Sequence, residues 1–283
     1  MPQVAIGLPV YSHPEFLAAA LDSLLAQTFG DFEFLISDNA SPDPRIRQIA
    51  ERYAARDPRI RYVRQETNLG PVRNFVHVFE HTTAPLFMWA ADDDLWEPAF
   101  IERGVAALTA DPAKSAWFCQ FDRIDAAGTV TRTYRPMTRF ASHGDKRSEA
   151  RAFLMEPDRL GKVQLYYALF RRPAMVEPLR LMAANREMRG VDLVFVYAFL
   201  CRHDIAIDPA VLFHKRFHGG ARPPTARGET LMKSRHFAGL AAAAEGTPYA
   251  AMTRSLLPWR FALDRAHKIG HGVRRALLPR AHP

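Results

Sequence analysis

Short apolar segments alternate with helical patterns over the first hundred residues, and this alternation restricts the fold more than any other feature of the chain. Four segments have the length and composition of buried strands, namely VAIGLPV (4–10), FEFLIS (32–37), IRYVR (60–64) and PLFMWAA (85–91). Between them, apolar residues recur at helical spacing, as in the series Leu17, Leu21, Leu24 and Leu25. Strands that alternate with helices predict an α/β fold, in which a mainly parallel central sheet is flanked by helices.

The chain of 283 residues is long enough for one large or two small domains, and 48% of it is hydrophobic. After residue 110 the pattern is less regular. It predicts strands in AWFCQFDRI (116–124), KVQLYYALFRR (162–172) and IAIDPAVLFHKRFH (205–218), and a buried helix in VDLVFVYAFLCRH (191–203). Because no segment has the composition of a linker, we predict one domain over residues 1–222 and a basic, helical C-terminal appendage over residues 223–283.

Two absences in the sequence indicate the cellular compartment. No stretch of eighteen uncharged apolar residues occurs, and the first residues lack the charged region and cleavage site of a secretory signal, so we expect a cytoplasmic protein. Cys119 and Cys201 lie in apolar runs without CxxC spacing. We therefore predict buried, reduced thiols rather than a disulfide framework or a zinc site.

The net charge of +8 is concentrated near the C-terminus. Between residues 251 and 283, seven basic residues stand against a single aspartate, and Leu256, Trp259 and Phe261 lie among them. This pattern is typical of peripheral contact with an anionic membrane, such as the inner face of the cell membrane. A helix packed on the body with a solvated basic face is the alternative. Positive charge confined to a tail argues against nucleic-acid binding.

Polar and aromatic residues follow each of the four predicted N-terminal strands. They form the segments PVYS (9–12), SDNASPD (37–43), NLGPVRN (68–74) and DDD (92–94). In an open α/β sheet, ligands bind outside the carboxyl ends of the strands. We therefore expect these four segments to form one ligand site.

The three consecutive aspartates of the fourth segment repel one another unless a positive group lies among them. On an extended strand end, Asp92 and Asp94 point the same way and Asp93 turns aside. Two hard oxygen ligands on one side are typical of Mg²⁺ or Mn²⁺ sites that leave positions for substrate phosphates. The alternative is an acidic turn in which Asp94 caps the helix that begins near Pro98.

In this order, the four segments resemble the N-terminal half of a family 2 glycosyltransferase with the Rossmann-like GT-A fold. The resemblance is close over about residues 3–105 and extends more loosely to about residue 220. It implies a divalent cation, Mn²⁺ or Mg²⁺, and a nucleotide-diphosphate sugar as donor. It also implies inverting transfer to a hydroxyl of a saccharide or lipid-linked acceptor, in cell-surface polysaccharide synthesis.

The resemblance also implies roles for the residues of the first three segments. Pro9 and Tyr11 match a motif whose aromatic ring lies against the base of the nucleotide. Asp38 matches an aspartate that hydrogen-bonds the base, although aspartate is also common in turns of this composition. Arg73 matches a basic residue that contacts the nucleotide portion of the donor.

The aspartates match the DxD motif of the family, but Ala91 stands where many members have the first aspartate, so the register is open by one residue. Asp93 or Asp94 is expected to bind the metal, with Asp92 near the ribose and as a further ligand. His218, in HKRFH, matches a histidine that reaches the metal or the diphosphate, and a basic surface loop is the alternative.

Asp192 matches the carboxylate that serves the family as catalytic base, since it precedes a helix that is almost wholly apolar. Burial would raise its pKa toward a value useful in catalysis. An aspartate at a helix start is also common as an N-cap.

Two alternative functions belong to other classes. A nucleotidyltransferase that makes nucleotide sugars shares the α/β layout, but its first strand is followed by a glycine-rich loop, whereas PVYSHPEF contains no glycine. A degenerate, non-catalytic binding module would not require the full set of aspartates.

Overall fold

The computed structural model describes residues 1–142, 144–186, 190–217 and 226–277, with the side chains of 226–234 and 264–277 excepted. Its first half alternates strands and helices in the order β1 (Val4–Val10), α1 (Pro14–Leu25), β2 (Phe32–Asp38), α2 (Pro44–Ala54), β3 (Ile60–Arg64), α3 (Pro71–Glu80) and β4 (Leu86–Trp89). A proline in the first turn begins each of the three helices, because its missing N–H costs nothing there. All four predicted N-terminal strands are confirmed, and β4 is shorter than expected.

The second half follows with longer and less regular connections. Its elements are β5 (Leu95–Trp96), α4 (Phe100–Ala110), β6 (Lys114–Ile124), β7 (Val130–Thr133), α5 (Lys146–Met155), β8 (Leu169–Arg171), α6 (Arg172–Ala184), α7 (Val191–Leu200), β9 (Asp204–Arg216), α8 (Ala226–Ala244) and α9 (Ala250–Leu277). Short 3₁₀ turns occupy Met137–Phe140, Asp158–Leu160 and Lys162–Tyr167.

In the part of the chain that the structure describes, nine strands form one sheet in the order β3-β2-β1-β4-β8-β6-β9-β5, with β7 paired to β6. The strands β1 to β4 pair in parallel, as predicted. Beyond β4 the sheet is mixed, because β8 pairs antiparallel with both β4 and β6, and β9 pairs parallel with β6 and antiparallel with β5. The predicted α/β architecture is therefore correct, and its parallel character belongs to the N-terminal half.

The strand predicted over 162–172 is largely wrong, since only Leu169–Arg171 is extended. The preceding Gly161 has a φ of 87° and turns the chain into a 3₁₀ segment. Lys162 fixes that segment by donating to the carbonyl oxygens of Phe153 and Glu156, each at 2.7 Å. Apolar side chains in this segment are buried in either conformation, so their periodicity did not distinguish the two.

The C-terminal helices pack on the buried helix α7. Leu240, Ala243 and Met252 belong to the same hydrophobic core as the sheet. The hydroxyls of Tyr197 and Thr253 are 2.7 Å apart, and Arg202 donates to the carbonyl of Ala243 at 2.6 Å. The helical character predicted for the appendage is confirmed over Ala226–Ala244 and Ala250–Leu277, while its boundary at residue 222 stays a prediction. Both cysteines are buried and unbridged, as predicted.

Candidate active site

A cavity of about 410 Å³ opens at the carboxyl ends of the parallel strands. All four predicted strand-end segments contribute to its lining, which includes Pro9, Tyr11, Asn39, Asn68, Asp92 and Asp93. The second half of the chain adds Tyr167 and Lys215. The geometry therefore brings the four segments together at one cavity, and ligand binding there stays a prediction.

The three aspartates do not take the arrangement expected of a strand end. Because β4 ends at Trp89, Asp92 and Asp93 lie in a turn, and both line the cavity. Asp94 has no exposed surface and lies outside that lining. Metal binding by Asp94 stays a prediction, whereas Asp92 and Asp93 are the carboxylates that the cavity reaches.

Lys215 places a positive group among the aspartates. Its Nζ atom lies 3.0 and 3.1 Å from the two carboxylate oxygens of Asp94 and 3.4 Å from Oδ1 of Asp93. The backbone N–H of Arg216 donates to Asp94 Oδ1 at 2.8 Å. The pairing of β5 with β9, in which Leu95 is opposite His214, brings this end of β9 beside the aspartates.

Burial is the largest influence on the pKa values of Asp92 and Asp94. It raises the pKa of Asp92 well above its ordinary value, and the neighbouring charges of Asp93 and Asp94 add to the rise. Burial also raises the pKa of Asp94 to about 6, although Lys215 opposes the change. For Lys215 burial opposes the charged form, but Asp94, Tyr167 and Asp93 outweigh it, so the pKa of the ammonium lies above its usual range. The lysine is therefore charged at neutral pH.

Asp38 is fully buried at the end of β2 and makes three contacts within the protein. Its carboxylate accepts hydrogen bonds from the Ser41 N–H at 2.7 Å, the Tyr62 hydroxyl at 2.8 Å and the Arg64 guanidinium at 2.6 Å. These bonds hold the loop after β2 against β3. A contact between Asp38 and a base stays a prediction.

Two asparagines for which the sequence predicted no ligand contact, Asn39 and Asn68, shape the cavity. Asn39 donates from Nδ2 to Oδ1 of Asn68 at 2.9 Å and accepts from the Leu69 N–H at 2.7 Å. These hydrogen bonds connect the loop after β2 to the loop after β3. Both asparagines also line the cavity. Their presence in two of the four strand-end segments was the available signal.

Arg73 lies elsewhere. Its side chain is exposed on α3 and lines a separate groove of about 340 Å³ together with His77 and, from beyond α6, Arg186. The structure does not bring Arg73 to the aspartates, and its contact with a nucleotide stays a prediction. His218, the predicted histidine of the metal or diphosphate, lies outside the described residues.

Asp192 lies in the first turn of α7 and is not its N-cap, which is Gly190. Its Oδ1 atom accepts a hydrogen bond from the Leu193 N–H at 2.9 Å. Burial raises the pKa of Asp192, and the charge of Asp158 adds to the rise.

Burial also raises the pKa of Tyr167, and the charges of Asp94, Asp93 and Asp192 add to that rise. Asp192 itself does not line the cavity, whereas Tyr167 does.

The ligands available to a divalent cation are few but of a suitable kind. Among the described residues, no group of three or more histidine, cysteine, aspartate or glutamate side chains is arranged to hold a metal ion. Mg²⁺, however, is commonly bound through one or two carboxylates, with substrate phosphates and water as the other ligands. Asp92 and Asp93 fit a cation bound in that way.

The sequence model described as Glycosyl transferase family 2 matches residues 5–175. The chain belongs to this family. This family 2 member is 32% identical over 108 residues to the putative glycosyltransferase EpsE of Bacillus subtilis, and the match covers 38% of each chain. It thus spans well under half the length of that relative.

Solved structures share the fold of this family 2 member. TarS of S. aureus, in a crystal structure of residues 1–349 with UDP-GlcNAc, has a TM-score of 0.65 at 14% identity, covering 90% of this chain and 70% of that one. The mannosyltransferase PcManGT of Pyrobaculum calidifontis, in complex with GDP-Man and Mn²⁺, has a TM-score of 0.57 at 17% identity, covering 98% and 81%. The GT-A fold and the family predicted from the sequence are confirmed, and nothing in these matches favours a nucleotidyltransferase.

Proposed function

We propose that this protein transfers a sugar from a nucleotide-diphosphate sugar to an acceptor hydroxyl with inversion of the anomeric configuration. The observation that carries the proposal is the convergence of Asp92, Asp93 and the aromatic Tyr11 on one cavity at the strand ends. Two proteins of the same fold support it, since their structures contain UDP-GlcNAc and GDP-Man. We propose a saccharide or lipid-linked acceptor and a role in polysaccharide synthesis.

In this proposal, the nucleotide lies along the segments after β1, β2 and β3. The Tyr11 side chain, 43% exposed at the cavity, offers its ring to the base. Asn39 and Asn68 offer amide groups to the polar edges of the nucleoside. Asp92 and Asp93 would hold a divalent cation, which when bound stabilises the charge on the leaving diphosphate.

Asp192 is proposed as the general base. The acceptor oxygen attacks the anomeric carbon from the face opposite the diphosphate, the carbon–oxygen bond to the diphosphate breaks, and Asp192 takes the proton from the acceptor hydroxyl. Because one displacement occurs, no enzyme nucleophile is required and the product has inverted configuration. The raised pKa of Asp192 makes it a better proton acceptor than an ordinary surface carboxylate.

Thermal unfolding with UDP, GDP and dTDP, each with and without Mn²⁺, tests the donor site. A nucleotide at about a hundred times its Kd should stabilise the folded protein by about 2.7 kcal/mol, which is visible as a higher Tm. We expect one nucleotide to give the largest shift with Mn²⁺. Asp92→Asn should reduce that shift, whereas Asp111→Asn, an exposed aspartate at the end of α4, should not.

The absence of a shift with every nucleotide, from a protein that unfolds cooperatively, would contradict the donor site. The chain would then be a degenerate, non-catalytic member of its family. Equal shifts in the Asp92→Asn variant and the unaltered protein would support nucleotide binding. They would also show that the Asp92 carboxylate does not contribute to that binding.

We also propose that the outer face of α9 contacts an anionic membrane. Thr253 and Arg260 face the core, while Trp259 and Leu263, which are four residues apart and so adjacent on the helix surface, are 68% and 42% exposed. No helix in the described residues is long and apolar enough to cross a bilayer. An exposed apolar pair on a basic helix is typical of interfacial binding.

Vesicle co-sedimentation tests the membrane contact. Replacing Trp259 and Leu263 by serine should lower the affinity for phosphatidylglycerol-containing vesicles by about tenfold or more, because two apolar side chains no longer enter the interface. Val176→Ser is the matched control, since Val176 on α6 is 59% exposed. Unchanged binding by the double variant would exclude this face as the anchor.

A further inference from the structure

Lys215 is a cation at the cavity to which neither the family motifs nor the proposed mechanism assigns a role. It lies near the end of β9 and lines the cavity with Asp92, Asp93 and Tyr167. Its side chain is 21% exposed, whereas that of Asp94, its closest partner, has no exposed surface. One side of the ammonium group is therefore held by the protein while the group still reaches the cavity.

The contacts of Lys215 leave room for an anionic ligand. An ammonium group has three N–H donors. Both oxygens of Asp94 lie within 3.1 Å of Nζ, but the Asp93 oxygen is 3.4 Å away, which is a long contact. The ring of Tyr167, with its centroid 5.9 Å from Nζ, fixes the side chain from another direction. A phosphate oxygen that enters the cavity can therefore replace Asp93 as the acceptor of one N–H of Lys215.

Charge complementarity favours a diphosphate as that ligand. Three adjacent carboxylates would repel a diphosphate in the absence of a cation. Lys215, a side chain that is ordinarily charged at neutral pH, is already positioned by Asp94 before any ligand arrives. Such a preorganised cation forms charge-assisted hydrogen bonds, which are about twice as strong as neutral ones.

We infer that Lys215 binds the diphosphate of the donor and gives the site an affinity for nucleoside diphosphates that does not require a divalent cation. The inference rests on the proposed nucleotide-sugar site and adds a residue to it. A divalent cation at Asp92 and Asp93 then strengthens binding that already exists, and Lys215 remains in contact with the leaving diphosphate.

The experiment must separate diphosphate binding from the structural pairing of Lys215 with Asp94. Two variants do so: Asp94→Asn, which keeps the lysine, and Asp94→Asn combined with Lys215→Met, which removes it. Neither contains a buried Asp94 charge, so they differ in the lysine alone. Titration calorimetry in EDTA measures the binding of UDP, GDP and dTDP and of the corresponding nucleosides to both, with thermal unfolding as the check on folding.

The expected result is that Asp94→Asn binds one nucleoside diphosphate more tightly than its nucleoside in EDTA. Loss of Lys215 should reduce that preference by about ten- to a hundredfold while leaving the nucleoside affinity unchanged. An equal loss for nucleoside and diphosphate would show a purely structural lysine and overturn the inference. So would diphosphate binding by the unaltered protein that occurs only with Mn²⁺, although the proposed function would stand. If no nucleotide binds under either condition, the proposed function itself fails.

Discussion

Replacing Asp192 by asparagine should lower kcat for sugar transfer by about 10²- to 10⁴-fold, the usual contribution of a general base. Asparagine has nearly the same shape, and its side-chain oxygen can still accept the hydrogen bond from the Leu193 N–H. The start of α7 should therefore be preserved, and the Tm and the affinity for the donor nucleotide should change little. What the variant loses is the ability to take a proton.

The pH profile distinguishes a base from a residue that only shapes the site. Since burial and Asp158 raise the pKa of Asp192, kcat should rise with pH around a value above that of an ordinary carboxyl group. This rise of kcat with pH should be absent in the Asp192→Asn variant. Asp158→Asn removes the negative charge that helps to raise the pKa of Asp192. The rise of kcat should therefore occur at lower pH in this variant, and the variant should remain active. Near-normal turnover by Asp192→Asn, measured as nucleotide release with a competent acceptor, would exclude Asp192 as the base.

The position of the site was predictable because it depends on local patterns. Parallel strands buried on both faces are continuous apolar runs that end at turn-forming residues, so VAIGLPV and IRYVR were found with their bounds intact. Once the strands were known, the meeting of their carboxyl ends followed from topology. Tyr11, Asp92 and Asp93 at one cavity are the consequence.

The orientation of the aspartates was not predictable, because it depends on where β4 stops. The period of two that would align Asp92 with Asp94 holds only in an extended strand. The chain leaves β4 at Trp89 and forms a turn at Asp92 and Asp93, which directs both toward the cavity and Asp94 into the interior. A difference of a few residues in a strand boundary thus changes which carboxylates line the cavity, so that Asp93 takes the place expected for Asp94.

Lys215 was missed because its neighbours are remote in sequence. The basic segment HKRFH was recognised, but the resemblance directed attention to His218. The pairing of Leu95 with His214 joins residues more than a hundred positions apart, and no local pattern specifies that register. A positive group beside the aspartates is therefore supplied by β9, far from them in the sequence.

Replacing Lys215 by methionine should lower the free energy of unfolding by about 2–3 kcal/mol at pH 8, because the Asp94 carboxyl, whose pKa is about 6 beside the lysine, would be held neutral up to higher pH, and each pH unit costs about 1.4 kcal/mol. Asp94 has no exposed surface, and without the lysine its carboxylate would keep only the Arg216 N–H, at 2.8 Å, of the partners described above. Methionine fills a similar volume, so the loss should come from the unpaired charge rather than from a cavity.

The sign of the pH dependence identifies that charge. The pKa of Asp94 in the folded protein is about 6, above its ordinary value of 3.8, even though Lys215 lowers it. Removing Lys215 raises this pKa further, so the carboxyl group is neutral in the folded variant at pH 5. As the pH rises to 8, the carboxyl group ionises readily in the unfolded chain but not in the folded variant, and the free energy of unfolding falls. The difference in stability between the variant and the unaltered protein should therefore be small at pH 5 and largest at pH 8.

Urea unfolding at the two pH values measures these differences. The double variant Asp94→Asn, Lys215→Met is the matched control, because it removes both charges together. Replacing a whole buried pair by neutral groups is often close to neutral in stability, so the double variant should recover most of the loss and show little dependence on pH. If Lys215→Met were destabilised equally at pH 5 and pH 8, and the double variant no less, the lysine would stabilise the fold through packing. The Asp94 carboxylate would then not be the group that requires it.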